Sequence, residues 1–299
     1  MRLLLAMLVI AVSVNKIDRI VETMKNIQES LKTECYGRNI QERRHWYSPA
    51  AKAYQKARPR YPKALIEQVI KTTGLSGSST ILEIGCGPAI ATPAFAELGC
   101  RMICIEPNPD FYHLARRECE IYPNVELINC SFEEWELQGH EFDVVLAASS
   151  FHWVSPEIGY PKAAKVLRPE GFLILLWNKE LQPAFEVYQR LIGVYQKHAP
   201  SAMPMYEDMD ATIAVLGQLA QIALESGCFK DMLSGYVKVE VTYSVDEYLM
   251  LLSTYSPYLK LKEQQKQALF GGLRDMLSID GNSLELSYIS AFHIGRPIK

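Results

Sequence analysis

The stretch Ile81-Leu82-Glu83-Ile84-Gly85-Cys86-Gly87-Pro88-Ala89-Ile90-Ala91-Thr92 decides the fold. A short apolar run, Thr80 to Ile84, stops at Gly85, and a helix-sized segment follows. Glycines at 85 and 87 let the backbone turn tightly and let a ligand approach the main chain with no Cβ in the way. Tight strand-to-helix turns also use glycine for packing alone, so the context has to decide. Working outward, apolar runs recur at 102–105, 125–128, 142–147 and 172–176, and between them lie helix-sized segments at 93–98, 109–119 and 156–167. Upstream, Pro62 opens a helix pattern (Leu65, Ile66, Val69, Ile70) that Gly74 closes. Continuous apolar strands separated by crossovers indicate a parallel sheet covered on both faces. The predicted fold is a doubly wound α/β domain.

After Trp177 the order changes. Helical patterns at 184–198 and 212–226 precede an alternating strand, Tyr236-Val237-Lys238-Val239-Glu240-Val241-Thr242-Tyr243. Further helices, from about Asp246 and over 263–277, come before a last strand at 284–294. Two late strands without the regular crossover helix are expected to pair antiparallel at one sheet edge. The expected organisation is an N-terminal extension over 1–44 and one domain over 45–299, with a helical cap inserted at about 178–235.

Three nucleotide readings separate at the glycine turn. A phosphate loop needs Lys-Ser/Thr after the second glycine, and Pro88-Ala89 stands there instead. A dinucleotide fingerprint wants a third glycine at position 90, which is isoleucine. What remains is an acid inside the strand, Glu83, and a second, Glu106, ending the next strand near the spacing at which a carboxylate accepts both ribose hydroxyls. A ligand with a ribose and a cationic head but no phosphate suits this loop.

At this point the sequence resembles the class I S-adenosylmethionine-dependent methyltransferases, over roughly residues 45–295. The resemblance rests on Leu82-Glu83-Ile84-Gly85-Cys86-Gly87-Pro88, Glu106-Pro107-Asn108, Phe142-Asp143-Val144-Val145 and Val166-Leu167-Arg168-Pro169-Glu170-Gly171-Phe172. Tyr54-Gln55-Lys56-Ala57-Arg58-Pro59-Arg60-Tyr61-Pro62 and Phe151-His152-Trp153 are similar to the small-molecule branch that contains trans-aconitate methyltransferases. Ala89, where many members have glycine, is the main departure.

The resemblance implies a mostly parallel seven-stranded Rossmann-like sheet and S-adenosyl-L-methionine as cofactor. It places Gly85 and Gly87 against the methionine part, Glu106 on the ribose, and Phe132 beside the adenine; Glu83 and Ala147 are grouped with these cofactor-binding positions. Phe132 also reads as ordinary core. Arg58 suits the cofactor's α-carboxylate, since a guanidinium binds it bidentately and the following proline holds the backbone extended, with Tyr54 one turn earlier. Arg58, Arg60 and Tyr61 read equally as anchors of the N-terminal arm. His152, just past the fourth strand, is the candidate catalytic residue, as a base toward a hydroxyl acceptor or, if the acceptor is a carboxylate, as a pocket wall.

Composition bounds the rest. With 48% apolar and 22% charged residues in 299, the chain can bury a large core. A net charge of −3 gives no bias toward phosphate backbones, so nucleic acid is not the expected partner; a small-molecule acceptor is what the resemblance implies. Seven cysteines with no Cys-x-x-Cys pair read as reduced thiols, and His45, His113, His140, His198 and His293 show no metal-ligand spacing. Leu3 to Val12 is an apolar run too short to span a bilayer. It reads as a secretory signal, as an extra helix, or as sequence upstream of a start at Met24; a cytoplasmic location is the expectation. Competing functions are a nicotinamide-dependent reductase, suggested by Tyr258-x-x-x-Lys262, and a non-catalytic cofactor-binding protein. Oligomeric state and acceptor identity are not legible.

Overall fold

The computed structural model describes residues 32–137, 139 and 141–299. The apolar run at 3–12 and Met24 lie outside them. Before the sheet come α1 (Ile40–His45), α2 (Ala51–Ala57) and α3 (Lys63–Thr73). The alternating core then runs β1 (Thr80–Ile84), α4 (Thr92–Ala96), β2 (Arg101–Ile105), α5 (Pro109–Glu118), β3 (Val125–Ile128), β4 (Phe142–Ala148), α6 (Pro156–Val166) and β5 (Leu167–Asn178). The C-terminal part runs β6 (Gln182–Pro183), α7 (Phe185–His198), α8 (Met209–Glu225), β7 (Phe229–Ser244), α9 (Val245–Leu252), α10 (Ser256–Leu259), α11 (Glu263–Leu277) and β8 (Ser283–Pro297).

All the strands join one sheet in the order β3-β2-β1-β4-β5-β8, with β7 outside β8. β1 pairs parallel with β2 on one side and with β4 on the other, Leu82 lying opposite both Ile103 and Val145. The strand order therefore reverses at β1, and the crevice beyond the carboxyl ends of β1 and β4 is where ligands gather in such sheets. The late strands pair antiparallel as expected. An eighth strand exceeds the seven expected because two residues of β6 continue the β5 edge alongside Leu286 and Ser287. Pro183 has no N–H to extend it.

Side chains alternate between two buried layers. Leu82, Ile84, Val145, Leu173 and Leu175 face one way, against α6 and α8; Ile81, Met102, Leu146, Ile174 and Leu176 face the other, against α3 and Phe95. A third apolar cluster joins Leu191 and Tyr195 of α7 to Leu249, Leu252, Leu269 and Leu273 of α9 and α11. The segment expected to form the cap thus divides. α7 joins that third cluster, while Leu216 and Ala223 of α8 pack on the sheet. Helices α9 and α11, between 245 and 277, supply much of the rest of that third cluster.

Candidate active site

Gly85 and Gly87 emerge from β1 with φ of 63° and 58°. Both line a cleft at the reversal of strand order. A Cβ on Gly85 would stand 2.8 Å from the Cβ of Ser150, so this glycine is required by conformation and by space alike. Gly87 has nothing within 4 Å of its missing Cβ, which leaves room for a ligand against its backbone. Ala89 also has a positive φ, 64°, although it carries a Cβ and is fully buried. That conformation costs an L-residue about 1–2 kcal/mol, so the departure from glycine at this position stores strain.

Glu106 organises the turn. One carboxylate oxygen accepts from the Gly87 N–H at 2.8 Å and the other from the Asn108 N–H at 2.7 Å. A carboxylate has about four lone-pair sites, so each oxygen keeps one acceptor position for a hydroxyl in the cleft. Burial pushes the group up to about 7 against the lowering pull of those two N–H donors. Asn108 in turn caps α5, its side-chain oxygen accepting from the N–H groups of Asp110 and Phe111. The Asn-Pro pair before a helical run was a signal for this cap.

Phe132 is 2% exposed; it belongs to the core and also lines the cleft. Lys162 holds the loop behind it, its Nζ donating to the Phe132 carbonyl at 2.7 Å and lying 5.2 Å from the ring centre. Arg58 lies between the rings of Tyr54 and Tyr255, 4.6 and 4.0 Å from their centres. Its Nε and one terminal nitrogen donate to the Thr254 hydroxyl and carbonyl. Arg58 itself lines the cleft. The anchoring and ligand-binding readings are both compatible with that placement.

Two expected cofactor positions lie elsewhere. Glu83 is fully buried behind the turn, where one oxygen accepts from the Thr92 hydroxyl at 2.7 Å and from the Cys104 thiol at 3.5 Å. Pleat alternation sends the Glu83 side chain into the layer beneath α4, and it is not among the residues that line the cleft. Ala147 is likewise 0% exposed and packs with Val145, Leu173 and Leu175; its successors Ala148, Ser149 and Ser150 form the cleft wall. Ala148 follows Ala147 on the opposite face, since in a strand one residue changes the face.

The sequence also passed over Arg43, within the expected extension. It donates to Glu133 at 2.7 Å and to the Trp153 carbonyl, and it lines the cleft. No motif signalled it.

A second cavity of about 700 Å³ adjoins the cleft, and Tyr47, Tyr54, Arg58, Ser149 and Trp153 line both. His152 faces this second space. Its ring centre lies 5.4 Å from that of Trp177, and its Nδ1 has no hydrogen-bond partner among the described residues. Desolvation pushes its pKa down to about 4. At neutral pH the ring is uncharged and a weak proton acceptor. Tyrosines 188, 195, 206, 248 and 258 make most of the remaining wall aromatic, while Lys179 pairs with Glu207 at 3.2 Å on one side. Tyr258 spends its hydroxyl on Tyr195 at 2.6 Å and Lys262 is exposed, so they do not form a reductase pair. Among the described residues no group of His, Cys, Asp and Glu could hold a metal ion, and no helix is long and apolar enough to cross a membrane.

Residues 82–175 match a family model described as a methyltransferase domain. An uncharacterized methyltransferase-like protein of Schizosaccharomyces pombe is 31% identical over 151 residues, 50% of this chain and 58% of its own. An uncharacterized methyltransferase of Mycobacterium tuberculosis is 30% identical over 132 residues, 44% of this chain and 51% of its own. A thiol S-methyltransferase of Mus musculus is 27% identical over 138 residues, 44% of this chain and 55% of its own. The chain thus spans little more than half the length of these relatives. A proposed type II methyltransferase from Anaeromyxobacter dehalogenans shares the fold, with a TM-score of 0.58 at 20% identity over 80% of this chain and 97% of that one. With the glycine turn and the reversed strand order around it, the segment 82–175 is similar to a methyltransferase domain.

Proposed function

We propose that this chain transfers a methyl group from S-adenosyl-L-methionine to a small, largely apolar acceptor whose nucleophile needs no protein base. The observation that carries the reading is the shared wall. A cleft built around Gly85, Gly87 and Glu106 opens onto an aromatic cavity across Tyr54, Arg58 and Trp153.

The cleft residues fit the cofactor. Glu106 has one free acceptor position on each oxygen for the ribose hydroxyls, the Cβ-free Gly87 admits the methionine portion, and Arg58 and Tyr54 suit its carboxylate. Bound there, the cofactor supplies a sulfonium methyl whose positive charge makes it electrophilic without a metal. The chain's task is alignment and exclusion of water. Tyr47 and Trp153, 5.7 Å apart edge to face, and Arg43 beside them close the junction against solvent.

The depressed basicity of His152 supports the second of its two roles, the pocket wall. An imidazole that stays neutral down to about pH 4 is a poor base toward an alcohol, and it serves as pocket wall. A nucleophile that ionises unaided, a carboxylate or a thiolate, fits better. The trans-aconitate-like motifs favour the first and the murine relative's thiol activity favours the second. An anionic acceptor would release no proton on methylation, so no residue of this chain need accept one.

Isothermal titration tests the donor: saturable binding of S-adenosylmethionine and its demethylated product is expected, with none for NAD or NADP. Binding of a nicotinamide cofactor alone overturns the reading. Mass spectrometry of cell extract incubated with isotopically labelled donor then identifies the metabolite that gains a methyl group, and tight donor binding with no labelled product would make the chain a non-catalytic binder.

A further inference from the structure

The outermost strand carries an unused pairing edge. β7 pairs with β8 along one side, and among the described residues no strand pairs with its other side. Every second residue of an edge strand turns its N–H and C=O outward, and natural proteins seldom leave a long edge uncovered. Here a register shift between Lys230 and Leu233, with Asp231 at φ 54°, ends the irregular part. Beyond it the ladder runs without interruption from Ser234 to Ser244.

That regular segment is symmetric about its middle residue, Val239. A two-fold axis there would set two copies antiparallel, with Ser234 opposite Ser244, Tyr236 opposite Thr242, Lys238 opposite Glu240, and Val237 opposite Val241. Lys238 and Glu240 are both exposed, at 49% and 69%, and their side chains share one face, since they pair with each other at 2.7 Å. In the paired register each lysine also meets the second copy's glutamate, so four alternating charges form a closed ladder. Tyr236, 49% exposed and on that same face, gains a β-branched cross-strand neighbour in Thr242. Val237 and Val241, only partly buried in one chain, are covered by their counterparts. An antiparallel pairing of this length makes about ten backbone hydrogen bonds, the number found in a standard protein interface.

We propose that the chain forms a two-fold dimer by antiparallel pairing of β7 with β7 of a second copy, in the register centred on Val239. The occupant is a second copy because the segment is complementary to itself in sequence order, sign of charge and side-chain type. An isologous contact requires that property and a chance partner does not. β8 then lies one strand inside the interface, and the sheet becomes continuous across both chains. The candidate active sites sit beyond β1 and β4, well inside each sheet, and are left open.

Sedimentation velocity of the full chain from 1 to 100 µM tests this. Wild type is expected at twice the chain mass within that range. Lys238→Glu places glutamates opposite one another and Glu240→Lys places lysines opposite one another; each is expected to weaken association at least tenfold. The double variant K238E/E240K restores opposite signs in the same register and is expected to recover the dimer to within about threefold of wild type. Unchanged far-UV circular dichroism and melting temperature show that the single variants are folded. Wild type at single-chain mass up to 100 µM overturns the proposal and leaves the edge to another partner. So does a dimer indifferent to both single reversals, or a double variant that stays dissociated, since the charge register is the argument.

Discussion

Replacing Glu83 by glutamine isolates the cost of burying a carboxyl beneath the glycine turn. In the folded chain burial pushes Glu83 from 4.5 up to about 7, with the Thr92 and Cys104 contacts opposing the rise only in part. A raised carboxyl binds its proton more tightly folded than unfolded. Its contribution to stability therefore falls as pH rises through the window from 4.5 to 7, and the full cost is present above 7. A shift of that size corresponds to up to about 3 kcal/mol. Glutamine keeps a carbonyl to accept from the Thr92 hydroxyl and carries no charge. Its amide nitrogen falls where the second carboxylate oxygen has no partner among the described residues, a cost of about 1 kcal/mol. E83Q is then expected within about 1 kcal/mol of wild type at pH 5 and about 2 kcal/mol more stable at pH 8. At roughly 2–4 °C per kcal/mol for a chain of this size, that is about 4–8 °C in Tm. Urea denaturation of both proteins at pH 5, 6, 7 and 8 reads the difference directly. Glu106 titrates in both, and removing the Glu83 charge lowers its pKa, which acts in the same direction. Because Glu83 does not reach the cleft, cofactor Kd should stay within twofold. A stability difference that does not grow with pH would refute the argument, and a large loss of cofactor affinity would return Glu83 to the binding site.

Glu106→Ala is expected to lose affinity for S-adenosylmethionine about 10–100-fold, and also to lose stability, since Gly87 and Asn108 are left with unaccepted N–H groups worth about 1–3 kcal/mol; calorimetry and thermal melts read the two losses separately, and an unchanged Kd rules out the ribose role. Ala89→Gly relieves the left-handed conformation and is expected to raise stability by about 1 kcal/mol in a thermal melt; a lower Tm would show that the Cβ packs to advantage. His152→Ala is expected to raise acceptor KM with kcat changed less than about threefold, and to leave the rate profile between pH 5.5 and 8 unaltered. A limb near pH 6.5 that disappears in the variant would restore His152 as the base.

The parallel sheet was legible because buried strands read as apolar runs and because each crossover supplied a helix with its own stop. Glu106 was legible for a related reason: an acid that closes an apolar strand must have partners, and the structure supplies two. Glu83 stands in the same motif but does not line the cleft, and only the pleat tells which side of the sheet a strand residue faces. Ala147 is buried one residue before the cleft wall for the same reason. Arg43 and Thr254 left no trace in the sequence, since each matters through a partner about a hundred or more residues away: Glu133 for the first, Arg58 for the second. The division of the cap followed from packing that periodicity cannot see. α7 and α8 are both amphipathic, and nothing in either pattern says which apolar partner each will find.

The wall shared by the cleft and the aromatic cavity has an evolutionary consequence. On the proposed function, the residues around the donor come mainly from one continuous stretch between β1 and α6, whereas most of the acceptor's surroundings, apart from Ser149, His152 and Trp153, come from the arm before β1 and from residues 177–258. Substitutions can accumulate in these outer segments without disturbing the glycine turn, so a lineage can exchange one acceptor for another while its donor chemistry stands still. On that reading, similarity confined to 82–175 carries the donor site and only the Ser149, His152 and Trp153 part of the acceptor's surroundings. Two proteins alike in that stretch can methylate unrelated molecules, and a chimera that joins this chain's 82–175 to a relative's flanking segments should inherit the relative's acceptor.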